Sequence, residues 1–130
     1  MIGPRDPRVF APDFLSPSGG PSEAELKTWR RAAQSGKGTP WLDAGRADAL
    51  ARYALKFGEG VQMMEAVATR FREPVRDVGW EIIGADAEGE NWEDHRDPQR
   101  AYALMRAKLR AARNAGAVLE YKLWLKRAGT

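Results

Sequence analysis

Leu50-Ala51-Arg52-Tyr53-Ala54-Leu55-Lys56-Phe57-Gly58-Glu59-Gly60-Val61-Gln62-Met63-Met64-Glu65-Ala66-Val67-Ala68-Thr69-Arg70-Phe71 is the stretch on which the fold assignment turns. Within it Leu50, Ala54, Phe57, Val61, Met64, Ala68 and Phe71 recur at spacings of 4, 3, 4, 3, 4 and 3 residues. Two apolar positions per heptad, sustained in this way, form the seam of a long amphipathic helix. Gly58 and Gly60 interrupt the seam and cost roughly 1 kcal/mol each relative to alanine. They mark a kink, a break or a close approach by another helix. Pro74 ends the segment.

A second seam of equal length follows. Asp97-Pro98 is a strong helix opening, an aspartate cap before proline at the first helical position. Tyr102, Met105, Leu109, Ala112, Gly116, Leu119 and Leu123 then recur at 3, 4, 3, 4, 3 and 4 residues. The pattern predicts a mainly α fold: an antiparallel long-helix hairpin, crossing near about +20°, with a short N-terminal helix before it. Gly116 is a second possible end for this helix. A further helix would then run from Ala117 to Arg127, with Tyr121, Leu123, Trp124 and Leu125 as a contact patch.

Between the seams, Val75, Val78, Trp80, Ile82 and Ile83 read as a short strand, residues 85–89 as a turn, and Asn91-Trp92 as a return. A small β-hairpin or an irregular loop is expected there. Upstream, Ser22-Glu23-Ala24-Glu25 has the capping-box form, and Leu26, Trp29 and Ala33 share one face of the short helix it starts. Gly36-Lys37-Gly38-Thr39-Pro40 punctuates its end. Five of the eight prolines fall in residues 1–21, which read as an extended Pro/Gly-rich arm carrying Phe10 and Phe14 for docking onto a neighbour. Residues 22–130 then form a single helical domain.

The chain has 130 residues, 43% of them hydrophobic and 30% charged, as in an ordinary globular domain. No apolar run reaches the roughly 18 residues that span a bilayer. The first residues lack the basic and apolar regions of a signal peptide. There are no cysteines, which excludes disulfides and thiol chemistry and fits a cytoplasmic location, the host cytoplasm if the chain is viral. The net charge of +3 is unevenly spread: +3 over residues 1–72, −6 over 73–96 and +6 over 97–130. An acidic middle beside a basic C-terminal segment suits self-association or a polyanion partner, and equally two solvated faces.

No catalytic constellation accompanies this layout. His95 is the only histidine, and no Gly-x-Ser-x-Gly elbow, dinucleotide fingerprint or phosphate-binding loop is present. Glu88, Glu90, Glu93, Asp94 and His95 are dense enough for a hard cation, but their spacing matches no EF-hand and a solvated acidic loop is the plainer reading. No catalytic residue, metal ligand or cofactor is assigned. Arg100, Arg106, Lys108, Arg110, Arg113, Lys122, Lys126 and Arg127 are the candidate nucleic-acid contacts, of the kind that bind phosphate without reading sequence. Trp41, Trp80, Trp92 and Trp124, with Phe10 and Phe14, are the candidate interface anchors.

Leu26-Lys27-Thr28-Trp29-Arg30-Arg31 resembles the L-x-x-W helix of phage terminase small subunits. Trp41-Leu42 followed by Asp48-Ala49-Leu50-Ala51-Arg52-Tyr53-Ala54 resembles that family's next helix, and Asp97-Pro98 before an Ala/Arg-rich helix is similar to the opening of its last core helix. The resemblance spans residues 22–125 in short pieces. It implies a non-enzymatic homo-oligomer, typically a ring, that recognises double-stranded viral DNA and regulates the large terminase ATPase subunit of a packaging motor. Two other functions are compatible with the residues: a protein-binding module or inhibitor that blocks a nucleic-acid-handling complex, and a Mg²⁺-dependent enzyme built on Glu88, Glu90 and Asp94.

Overall fold

Reciprocal hydrogen bonds at Ser22 start the first helix. The Ser22 hydroxyl accepts from the Glu25 N–H at 3.1 Å, and the Glu25 carboxylate accepts from the Ser22 N–H at 3.0 Å. The computed structural model describes residues 20–75, 78–83 and 96–128. In chain order the elements are α1 (Glu23–Ala33), β1 (Leu42–Asp43), α2 (Ala44–Ala54), a 3₁₀ turn (Leu55–Phe57), β2 (Glu59–Ala68), a second 3₁₀ turn (Val78–Trp80), α3 (Pro98–Asn114) and β3 (Leu119–Arg127). The strands form one antiparallel sheet in the order β1-β3-β2, so the last strand in sequence is the middle one in space. No helix among the described residues is long and apolar enough to cross a membrane.

The long-helix hairpin is therefore absent. The fold is mixed, three helices with a three-stranded antiparallel sheet, and not mainly α. Each seam is helix in its first half and strand in its second. Glycines in the left-handed conformation make the change, Gly58 at φ 70° after α2 and Gly116 at φ 78° after α3.

The spacing misleads because a step of four residues returns to the same face in a strand as well as in a helix. Leu119 and Leu123 both face the core of β3, and so do Tyr121 and Leu125 between and beyond them. A step of three, as from Val61 to Met64, would reverse the face of a regular strand. A β-bulge between Val61 and Met63 adds Gln62 and restores the face, so Val61 and Met64 are 2% and 0% exposed. Phe71 lies past the strand and is 76% exposed. It sits with Arg72 in a turn, both at positive φ (64° and 49°), that returns the chain so that the Glu73 carbonyl accepts from the Ala68 N–H at 2.7 Å.

Beyond that turn Pro74 bridges Val67, and Ile82 bridges Met64 through backbone bonds of 2.8 and 2.9 Å. Of the hairpin or loop expected between the helices, the described part is thus a 3₁₀ turn and two isolated bridges to β2. The return at Asn91-Trp92, the acidic cluster and residues 1–19 of the arm lie outside the described residues.

The core sits between the sheet and the helices. Ala47, Leu50, Ala51 and Ala54 of α2 and Met105, Leu109 and Ala112 of α3 pack with the inward side chains of β2 and β3. Each fully buried Leu or Met contributes about 1.5–3 kcal/mol. α1 packs beside α2 and is fastened to the start of β2, where the Glu59 carboxylate, 2% exposed, accepts from Arg30 Nε at 2.8 Å, Arg30 Nη2 at 2.7 Å and Gln34 Nε2 at 2.6 Å. Glu120, Lys122, Trp124 and Lys126 alternate onto the other face of β3.

Two stability measurements follow from this packing. A Cβ at Gly38, where φ is 73°, would stand 2.6 Å from Cε2 of Trp124, whose indole N–H donates to the Gly36 carbonyl at 3.1 Å. Gly38→Ala is expected to destabilise the chain by at least about 2 kcal/mol in urea unfolding followed by tryptophan fluorescence; an unchanged midpoint would refute the close approach. Burial pushes the Tyr121 phenol up to about 12. The neutral phenol is favoured in the folded chain, while the unfolded chain ionises from about pH 10. The stabilisation is therefore complete below about pH 10 and is lost as pH rises through 12. Tyr121→Phe is expected to flatten the loss of stability across that alkaline window, and an identical pH profile for both proteins would contradict it.

Candidate nucleic-acid interface

The two helices that cover the sheet are charged almost entirely one way. Arg46, Arg52, Arg100, Arg106, Lys108, Arg110 and Arg113 give α2 and α3 seven cations, against Asp48 as their one acidic residue. The strands carry three cations (Lys122, Lys126 and Arg127) and four acids (Asp43, Glu59, Glu65 and Glu120). Charge is thus separated between the layers, with positive potential over the helices. On α3, Arg106 and Arg110 are four residues apart and Arg110 and Arg113 three, so like charges adjoin at a cost of a few tenths of a kcal/mol per pair. The helix holds because alanine, leucine, arginine and lysine are strong helix formers and Asp97 caps it, accepting from the Arg100 N–H at 3.2 Å.

A charged contact joins α2 to α3. Asp48 is fully buried, and Arg106 Nε lies 3.4 Å from its Oδ1. Tyr102 lies near the same carboxylate, and its phenol is pushed up by burial and then by the Asp48 charge. The Arg106 guanidinium stands 5.9 Å from the centre of the Tyr102 ring. Elsewhere on the layer, Arg46 pairs with Asp43, the residue that caps α2 by accepting from the Arg46 N–H at 2.8 Å.

The eight basic residues singled out in the sequence do not make one stripe. Arg100, Arg110 and Arg113 are exposed on α3, Arg106 is drawn toward Asp48, and Lys108 donates to the Gly79 carbonyl at 3.1 Å. Lys122 and Lys126 lie on the sheet face turned away from the helices, and Arg127 is exposed at the end of β3. Arg46 and Arg52 join the helical set instead, placed there by the packing of α2 against α3. Their signal in the sequence was a polar face on α2, which the long-seam assignment absorbed.

Of the aromatic candidates, Trp41 and Trp124 are half-buried beside the sheet face turned away from α2 and α3, and Lys122 Nζ lies 5.0 Å from the Trp41 ring centre. Trp80 is half-buried against the core. Phe10, Phe14 and Trp92 lie outside the described residues. Among the described residues no group of three or more His, Cys, Asp and Glu side chains could hold a metal ion, and Glu88, Glu90 and Asp94 are outside them.

In comparisons with known proteins, the chain matches no family model, no curated protein and no solved structure.

The Asp48 contact generates a direct test. Asp48→Asn keeps the shape of the side chain but leaves Arg106 without its counter-charge. The variant is expected to lose about 3 kcal/mol, the low end for breaking a buried pair, because Arg106 keeps 30% exposure. A thermal melt indistinguishable from the parent's would show that this pair does not hold α2 to α3.

Proposed function

We propose that the chain is a non-enzymatic DNA-binding adaptor that lays its two-helix layer against the phosphates of a duplex. The observation that carries this is the seven-to-one excess of cations over acids on α2 and α3. Contacts of this kind fix position along the backbone without reading bases. Exposed Arg52, Arg100 and Arg110 come from two helices held at a fixed spacing, so the surface is broader than the back of α3 alone. The likeness to terminase small subunits adds two elements, a homo-oligomer, ring-shaped in that family, and the large packaging ATPase as protein partner.

Fluorescence anisotropy with labelled duplex tests the DNA contact. Binding is expected to weaken steeply between about 50 and 200 mM salt. Arg52→Glu combined with Arg100→Glu is expected to lower the log–log salt slope by about two while leaving the melting temperature near the parent's. Arg106 is left out because a glutamate there would face buried Asp48. No duplex binding at the lower salt would overturn the proposal, and light scattering that shows a strict monomer at high concentration would remove its oligomeric element.

A protein-binding module is the second reading, favoured by the aromatic side chains on the sheet face turned away from α2 and α3. There Trp124 stands across from Met63, and Trp41 stacks with Lys122. Its mark would be a single protein partner recovered by pull-down, with no retention on DNA.

A further inference from the structure

We propose, building on the DNA reading above, that Phe71 in the turn at residues 69–72 is an apolar wedge that enters between base pairs of the duplex held by α2 and α3 and kinks it. Phe71 is 76% exposed, more than any other large apolar side chain among the described residues. Its backbone lies in the left-handed region at φ 64°, and Arg72 follows at φ 49°. Neither residue type favours that region, and a bulky side chain is costly there. The fold thus holds Phe71 in a strained conformation and gains no burial from it. Strain at an exposed aromatic points to a role beyond the protein's own packing.

The surroundings of the ring suit a nucleic acid. Arg70 Cζ stands 5.2 Å from the Phe71 ring centre. A cation beside the ring reaches a phosphate when the ring lies in the base stack. Arg72 is held by Glu120, Nε to Oε1 at 3.0 Å, which fixes the turn against β3. Glu73 closes the turn and is exposed, so the tip carries two arginines against one acid. The Thr69 N–H donates to the Val118 carbonyl at 3.0 Å, and Val118 is 74% exposed at the same end of the sheet. A second copy of the chain is the less suited occupant, because two side chains offer far less apolar surface than a stable dimer buries.

The tip also continues the phosphate surface. Arg113 and Val118 line one shallow cleft at the end of α3. The turn is bonded to Val118, so it lies beyond the last of the exposed arginines Arg100, Arg110 and Arg113. A duplex along that row meets Phe71 at one end. An apolar side chain inserted at a base step unstacks it, and the resulting bend brings more backbone onto the protein. Pyrimidine–purine steps yield most easily, so a surface that reads no base edges gains a preference for a TA step.

The bend is measured with the full chain by energy transfer between dyes at the two ends of a duplex carrying one central TA step, and affinity by fluorescence anisotropy. The parent is expected to bend this duplex by at least about 20°. Phe71→Gly is expected to leave it straight and to weaken binding about tenfold, the effect of losing one stacked aromatic. Its salt slope is expected to match the parent's, since no phosphate contact is removed. The variant is expected to melt no lower than the parent, because glycine adopts φ 64° without strain. Phe71→Leu retains an apolar wedge and is expected to retain the bend. Salt-sensitive binding to a straight duplex, or equal bending by Phe71→Gly, would overturn the wedge and leave the DNA proposal standing. No duplex binding at low salt would remove both. Loss of self-association in Phe71→Gly with the bend intact would assign the tip to contacts between copies and overturn the wedge.

Discussion

Everything in this molecule depends on the insertion of β3 between two strands that do not touch each other. β2 and β1 are separate until Leu119–Arg127 arrives, because β3 supplies the antiparallel partner for both. The Thr39 side chain extends the β1 side, accepting from the Leu123 N–H at 3.0 Å while the Thr39 N–H donates to the Leu123 carbonyl at 3.1 Å. The sheet is therefore closed by contacts between distant parts of the chain, the class that forms slowly and late. Its two edges are blunted in different ways. β1 has two residues, and the outer edge of β2 meets Ile82 and Pro74, the latter without a backbone N–H to offer a further strand.

Two buried carboxylates fix the helices, Glu59 holding α1 to the sheet and Asp48 holding α2 to α3, with unequal geometry. Glu59 is clamped by both nitrogens of an Arg30 fork and by Gln34, and Arg30 also lies 3.8 Å over the Phe57 ring. The hydrogen bond to Glu59 outweighs desolvation and holds the Arg30 guanidinium more firmly protonated. Asp48 is the looser case, with Arg106 Nε at 3.4 Å. Well-packed apolar residues could replace either pair at similar stability. What a charged pair adds is a penalty for any other arrangement of α1 on β2, or of α3 on α2, since each misplacement would strand a carboxylate in the core.

Local signals were the legible part of the sequence. The Ser22 capping box and the Asp97-Pro98 opening sit where their chemistry requires, because a cap involves only four neighbouring residues. The sheet was not legible from the spacing of apolar residues alone. The alternation Leu119, Tyr121, Leu123, Leu125 is present in the sequence, but Leu119 and Leu123 also fit a helical step of four, and the run of Ala and Arg before Gly116 favoured carrying the helix on. In β2 the bulge at Gln62 breaks the period of two between Val61 and Met64, since a bulge is set by pairing with another strand and leaves no local mark. The basic residues were visible as a group, and their division between two faces was not, because it follows from the change of period at Gly116. Tyr121 could not be read as a core strand residue for the same reason: its place beside Leu42 arises from the pairing of β3 with β1.

The cations of α2 and α3 show why counting basic residues overstates the surface offered to a polyanion. Arg46 and Arg106 face carboxylates, and Lys108 is turned to a backbone carbonyl. The exposed members beyond these are Arg52, Arg100, Arg110 and Arg113, one from α2 and three from α3. At 1.5 Å per residue, Arg100 and Arg113 stand about 20 Å apart along α3, the axial length of about six base pairs. Arg52 widens that line into a patch because α2 packs beside α3, through the shared core and through the contact of Asp48, one turn earlier, with Arg106. The half-buried arginine thus helps to position the others, and the polarity of the layer is a property of helix packing more than of any single segment of sequence.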